Sequence, residues 1–161
     1  MAAPDPASRT SATLAVSLAA AKPDHVSALL AWMRDLYEHE HIAWDPAEAE
    51  VALRELLAHP EYGRVFVLAA EGKAVGYAVV ALAFSLELGG RCAFLDELYV
   101  KPSARGRGIG SIALRLLRSA CSALGARSLA LEVHLENARA EALYRREGFV
   151  SNGRQLMTRR L

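Results

Sequence analysis

Ala93-Phe94-Leu95-Asp96-Glu97-Leu98-Tyr99-Val100, then Lys101-Pro102-Ser103-Ala104, then Arg105-Gly106-Arg107-Gly108-Ile109-Gly110 is the stretch that decides how the chain folds. A β-rich run gives way to a proline turn, a glycine loop and an amphipathic run, so the order is strand, turn, loop, helix. Glycines at 106, 108 and 110 keep side chains away from a helix N-terminus. There, unpaired backbone N–H groups and the positive end of the dipole can hold an anion such as a diphosphate. A phosphate-bearing ligand is therefore expected. Two better-known glycine motifs are disfavoured by their spacing: a dinucleotide fingerprint from Gly106 needs glycine where Ser111 stands, and the Gly-Lys-Ser/Thr of a triphosphate loop occurs nowhere.

The pattern that fits is Arg-x-x-Gly-x-Gly (Arg105, Gly108, Gly110) directly after a strand ending Leu-Tyr-Val. It resembles the acyl-CoA-binding motif of the GNAT superfamily of N-acetyltransferases. A second block, Asn137 to Phe149, is similar to that family's later motif Asn-x-x-Ala-x-x-Leu-Tyr-x-x-x-Gly-Phe, with every named position filled. The two blocks stand in the family's order, one helix and one strand apart, and the resemblance covers residues 93 to 150 closely.

Composition sets the limits. A chain of 161 residues with 53% hydrophobic content suits one domain with an ample core, read here as residues 13–161 behind a disordered tip over 1–12. Cys92 and Cys121 lack metal or redox spacing and read as reduced thiols. The five histidines show no ligand spacing, so no metal is expected. With a net charge of +1 and both signs interspersed, no basic stripe marks a nucleic-acid partner. Thr13 to Ala21 is too short and interrupted to span a bilayer, which makes a soluble, cytoplasmic protein the expectation. Exposed sheet edges make a homodimer a further expectation.

Periodicity supplies the remaining elements. Leu14 to Leu18 alternates as a strand, and Pro23-Asp24 opens a helix with apolar positions Val26, Leu29, Leu30, Met33 and Tyr37. Asp45-Pro46 caps a second helix with Val51, Leu53, Leu56 and Leu57 on its apolar side. Arg64–Ala70 and Ala74–Phe84 form a hairpin around Glu71-Gly72-Lys73, and Leu88-Gly89-Gly90-Arg91 turns into the strand ending at Val100. Ile109, Ile112, Ala113, Leu116, Leu117, Ala120 and Leu124 make a helical stripe closed by Gly125. Ser128–His134 reads as a strand, Asn137 as the cap of a helix to Glu147, and Gln155–Arg160 as a last strand. The sum is an α/β domain with a mixed, largely antiparallel sheet, and the resemblance implies that this sheet is splayed.

An amine of pKa near 10 is only about 0.1% unprotonated at neutral pH, a handicap of about 4 kcal/mol for attack on a thioester. Glu97, in the strand leading to the loop, is the first candidate for the base that takes the proton, through water, with Asp96 second. Glu97 could equally bind the acceptor's ammonium or pair with an arginine. On a regular strand the two adjacent carboxylates point to opposite faces.

The resemblance implies acetyl-CoA as donor and, as acceptor, a primary amine of a small molecule or amino-acid-like compound that attacks the thioester directly. It implies that backbone groups of Leu98 and Val100, with Tyr99 between them, hold the pantetheine arm, one N–H polarising the thioester carbonyl. It implies a phosphate cradle over Arg105, Gly106, Arg107, Gly108, Ile109, Gly110 and Ser111, and Tyr144 as the acid that protonates the departing thiolate. Asn137 either contacts the donor or only caps its helix. Tyr37, His41, Trp44 and Glu87 fall in regions that shape the family's acceptor pocket. Alternatives are a non-catalytic acyl-CoA sensor, an acetyltransferase of protein lysine or N-terminal amines, and a nucleotide-binding protein of another fold.

Overall fold

The computed structural model describes residues 14–159, so the expected tip over 1–12 lies outside the described residues. Among these, five strands form one sheet in chain order: β1 (Val16–Ala20), β2 (Gly63–Ala70), β3 (Lys73–Ser85), β4 (Gly90–Val100) and β5 (Leu129–Leu131). The first three pairings are antiparallel and β4/β5 is parallel, which is the mixed, mostly antiparallel arrangement expected from the pattern. The β2/β3 loop is the two-residue turn Glu71-Gly72. Both residues take positive φ, 52° and 75°, as a hairpin turn matched to strand twist requires.

Helices cover both faces. α1 (Val26–His39) follows a 3₁₀ turn at Pro23–His25, and α2 (Pro46–Ala58) starts at Asp45, whose Oδ1 accepts from the N–H groups of Ala47 (2.8 Å) and Glu48 (3.1 Å). They bury Val26, Leu29, Met33 and Leu53 against Val65, Tyr77, Val79 and Tyr99. α3 (Ile109–Ala123) and α4 (Ala138–Arg146) lie on the opposite face. There Leu114, Leu117 and Cys121 pack on Phe66, Ala78, Val80, Ala93 and Leu95. Alternate residues of β3 serve the two cores, so Gly76 through Val80 are all buried. Gly125, at φ 81°, ends α3 by donating to Ser122 O, and Asn137 Oδ1 caps α4 at the Ala140 N–H (3.1 Å).

Some expectations are corrected. β1 begins at Val16 rather than Leu14. Val51 is 66% exposed, because α2 rests on the core through Leu53, Leu56 and Leu57 and turns Val51 to solvent. The buried centre of α3 includes Leu114 and Cys121, while Ile112, Leu116, Ala120 and Leu124 are half-buried flanks. β5 has three residues instead of the seven of Ser128–His134, since its partner strand bends away after Leu95. Of the expected last strand Gln155–Arg160, Arg160 lies outside the described residues and Gln155 to Arg159 forms no strand; Leu156 and Met157 have no core to cover and are exposed.

The feature that positions the site is a β-bulge in β4. Val79 pairs with Glu97 and Val80 with Leu95, leaving Asp96 without a partner. The extra residue reverses the parity of the strand. Ala93 and Leu95 face α3, whereas beyond the bulge Leu98 faces α3, and Glu97 and Tyr99 face α1. The parallel ladder to β5 stops at Leu95↔Leu131, so from Asp96 to Val100 the outer edge of β4 is open, and the sheet is splayed as the resemblance implied.

Candidate active site

The open edge presents main-chain groups. Lys101 N–H donates to Val75 O (2.8 Å), so by antiparallel alternation Tyr99 and Glu97 also bond toward β3, while the N–H and C=O groups of Leu98 and Val100 point outward. Tyr99 therefore offers neither main-chain nor side-chain polar groups to the edge. Its ring is buried and its hydroxyl donates to Asp35 Oδ2 at 3.3 Å. Val100 O already accepts from Arg105 Nε (2.8 Å), which lays the guanidinium 5.8 Å from the Tyr99 ring.

Where β4 ends, Gly106 and Gly108 take φ of 79° and 80°, and Gly108 is the N-cap of α3. Their missing side chains leave open space on the outside of the turn. The first intrahelical bond of α3 is Ile112 N–H to Gly108 O, so the N–H groups of Ile109, Gly110 and Ser111 precede any helical partner. Gly110 has a second role: a Cβ there would stand 3.1 Å from Leu143 Cδ2, so it sets how closely α4 approaches α3.

A cleft of about 700 Å³ runs from this helix start along the open edge, walled by α4. It is lined by Leu98, Tyr99, Val100, Arg105, Gly106, Gly108, Ile109, Gly110, Ser111, Asn137 and Tyr144, so the structure gathers most of the expected donor residues. Arg107 is the exception, turned out to Glu71 (3.1 Å). Arg139 and Arg146, two exposed cations of α4, also line the cleft. Sequence reading missed them, though their spacing of seven puts them on one helix face.

A second cavity of about 350 Å³ adjoins the first and shares Leu36, Glu40, Leu98, Asn137, Ala140 and Tyr144 with it. Its walls carry four carboxylates, Glu40, Asp96, Glu97 and Glu132, with His134 and no lysine or arginine. The bulge brings both Asp96 and Glu97 to this cavity, correcting the expectation that adjacent residues face opposite ways. Tyr37 lines it too. Trp44 stands behind Tyr37, edge to face at 5.4 Å, and belongs to the core packing. His41 is exposed beside the cavity without lining it, and Glu87 is remote, held by Arg154 in two bonds of 2.9 and 2.7 Å.

Glu97 is half-buried, and each of its oxygens accepts one side-chain hydrogen bond. Tyr37 Oη donates to its Oε1 (2.7 Å) and Tyr77 Oη to its Oε2 (2.8 Å). Burial raises its pKa and the neighbouring Asp96 charge adds to this, while the two phenolic donors pull it down. Partial desolvation also raises Asp96. Both clamping phenols are pushed well above the ordinary tyrosine range, by burial first and by the Glu97 charge second. Tyr144, at the junction of the cavities, packs edge to face on Phe149 (5.9 Å). Burial and then Glu40 raise its pKa, so the phenol is a protonated donor at neutral pH. Among the described residues no group of His, Cys, Asp and Glu is arranged to hold a metal ion, and no helix is long and apolar enough to cross a membrane.

A splayed sheet with a glycine-framed helix start beside an open strand edge defines an acyltransferase-type scaffold. The chain belongs to the acetyltransferase (GNAT) family, whose sequence model matches residues 27–149. It is 32% identical over 108 residues to an aminoglycoside N(6')-acetyltransferase type 1 of Stenotrophomonas maltophilia, covering 65% of this chain and 69% of that protein. An integron cassette protein, HFX_CASS3, from the mobile metagenome of Cole Harbour Salt Marsh superposes with a TM-score of 0.78 at 34% identity, over 89% of this chain and 90% of that one. The aminoglycoside N-acetyltransferase AAC(6')-Iy, solved in complex with CoA, shares the fold at a TM-score of 0.72 and 19% identity, over 91% of this chain and 95% of that one.

Proposed function

We propose that the protein transfers an acetyl group from acetyl-CoA to a primary amine on a small cationic acceptor. The observation that carries this reading is the junction at Leu98 and Tyr144, where a phosphate-suited cleft meets an acidic cavity. A donor anchored by its phosphates in the first would present its thioester to an amine held in the second.

The residues divide the work by position. The free N–H groups of Ile109, Gly110 and Ser111, with the glycine turn and Arg105, hold the diphosphate of the donor. Arg139 and Arg146 add positive charge along the same cleft. The outward main-chain groups of Leu98 and Val100 align the pantetheine arm, and the Leu98 N–H stabilises the negative charge that develops on the thioester oxygen. Glu40, Asp96, Glu97 and Glu132 attract a cationic acceptor. The raised Glu97 carboxylate takes the ammonium proton through water, and the freed nitrogen lone pair attacks the thioester carbonyl carbon, forming the carbon–nitrogen bond and giving its second proton to solvent as the amide forms. As the carbon–sulfur bond breaks, Tyr144 Oη gives its proton to the thiolate. Asn137 keeps Oδ1 on the α4 cap, which leaves its amide Nδ2 to face the donor.

The sequence relationship to an aminoglycoside acetyltransferase supports a polyamine-like acceptor over an amino acid, because a carboxylate on the acceptor would meet four others. Thiol release from acetyl-CoA, measured over diamines, aminoglycosides, amino acids and lysine peptides, tests the reading. Turnover is expected with the first two groups. No thiol release with any amine, despite thermal stabilisation by CoA, would replace it with the sensor alternative. Cytoplasmic location and a homodimer belong to the same proposal, the dimer to be checked by light scattering.

A further inference from the structure

Glu97 is the one carboxylate of the acceptor cavity whose two oxygens are each taken by a different element. Tyr37 comes from α1, sixty residues away in sequence, and Tyr77 from β3, twenty away. Tyr77 is completely buried, stacked on Trp32 (6.4 Å) and tilted against Tyr99 (5.9 Å), and the Tyr99 hydroxyl is in turn tied to Asp35. Its ring cannot turn without repacking that core, so its hydroxyl has a fixed address. A hydroxyl donates one hydrogen, and here both are directed at the carboxylate. We propose that Tyr37 and Tyr77 are positioning residues that hold Glu97 in its ionised form, with one remaining lone-pair direction of each oxygen left for the acceptor or its bridging water.

The catalytic consequence of this clamp rests on the reading of Glu97 as proton acceptor, but the clamp itself stands on the two hydrogen bonds. A carboxyl group in this setting faces three forces. Desolvation and the adjacent Asp96 favour the protonated acid, and two charge-assisted hydrogen bonds favour the anion. The other charges around it are Glu40 just past α1 and Glu132 and His134 on the segment after β5, while Asp35 lies one tyrosine further back. All but His134 oppose a negative Glu97, so without the phenols the group would remain protonated further into the working pH range. With them it stays a base, yet one poised higher than an exposed glutamate.

The test is a titration of Glu97 followed by its ¹³Cδ resonance, assigned by its disappearance in Glu97→Gln, in the full-length wild type, Tyr77→Phe and Tyr37→Phe. Each substitution removes one donor to the charged form and is expected to move the Glu97 midpoint to higher pH by about one pH unit. The acidic limb of kcat/KM moves to higher pH with it. A midpoint unmoved, or lowered, in both variants would overturn the clamp, and Tyr37→Phe, on the half-buried side, keeps the test open if Tyr77→Phe fails to fold. A resonance that moves while the kcat/KM limb stays still supports the clamp and rejects Glu97 as the base.

Discussion

The two ends of α3 offer a matched experiment on the phosphate cradle. Gly108 at its N-cap and Gly125 just past its C-terminus have φ of 80° and 81°, and a Cβ at either meets nothing within 4 Å. Alanine at either position must adopt a left-handed backbone, at a cost of roughly 1–2 kcal/mol. For a chain of 161 residues that lowers Tm by roughly 2–8 °C. The backbone penalty is thus the same, and only Gly108 borders the cleft. A methyl group there occupies the space into which the first-turn amides point. Displacing phosphate from two amides, at about 1.5 kcal/mol per charge-assisted bond, weakens CoA binding roughly a hundredfold. The assay is a thermal shift with CoA at about 100 times the wild-type Kd, where bound ligand stabilises by about 2.7 kcal/mol. Gly125→Ala should keep that gain in full. Gly108→Ala should retain only about 0.4 kcal/mol, the gain left when ligand merely equals Kd. Equal stabilisation of the two variants by CoA would refute the assignment of the α3 N-terminus as the diphosphate site.

Tyr144→Phe removes the proposed proton donor while keeping the ring on Phe149; kcat is expected to fall roughly a hundredfold with both KM values within about threefold, read from steady-state thiol release, and full turnover would contradict the role. Asp96→Asn and Glu132→Gln each take one charge from the acceptor cavity, so KM for a diamine should rise about fivefold, more at low salt, with the acetyl-CoA KM unchanged. Folding stability carries a related signature. Because burial raises Glu97, the folded chain binds its proton up to a higher pH than the unfolded chain. Its contribution to the unfolding free energy therefore declines as pH rises from the ordinary glutamate value through the raised one, then levels. Urea unfolding of wild type and Glu97→Gln should show that declining difference, and a difference that is flat or rises with pH would remove the inference.

Much of the site was legible because the information is local. A left-handed turn needs glycine within the turn itself, and Gly106 and Gly108 announce it. Asp45 and Asn137 cap helices through amides two or three residues away. Gly125 closes α3 for the same kind of reason. The β-rich composition of β2 and β3 and the apolar stripe of α3 likewise reach no further than their own element, so the sheet-and-helix order could be read off one residue after another.

Tertiary structure alone decided what faces what. The bulge at Asp96 exists because β3 and β4 pair in two registers, and it turns two adjacent carboxylates into one acidic wall. Tyr77 looked like an ordinary strand residue until pairing set it beside Glu97. Arg107 found Glu71 across the hairpin and left the cleft, and Glu87 found Arg154 and left the acceptor side. For these side-chain pairs the deciding contact joins residues twenty to sixty-seven positions apart. Short-range chemistry determines where the chain turns and caps; the direction of a side chain within the site depends on strand register, which only the assembled sheet sets.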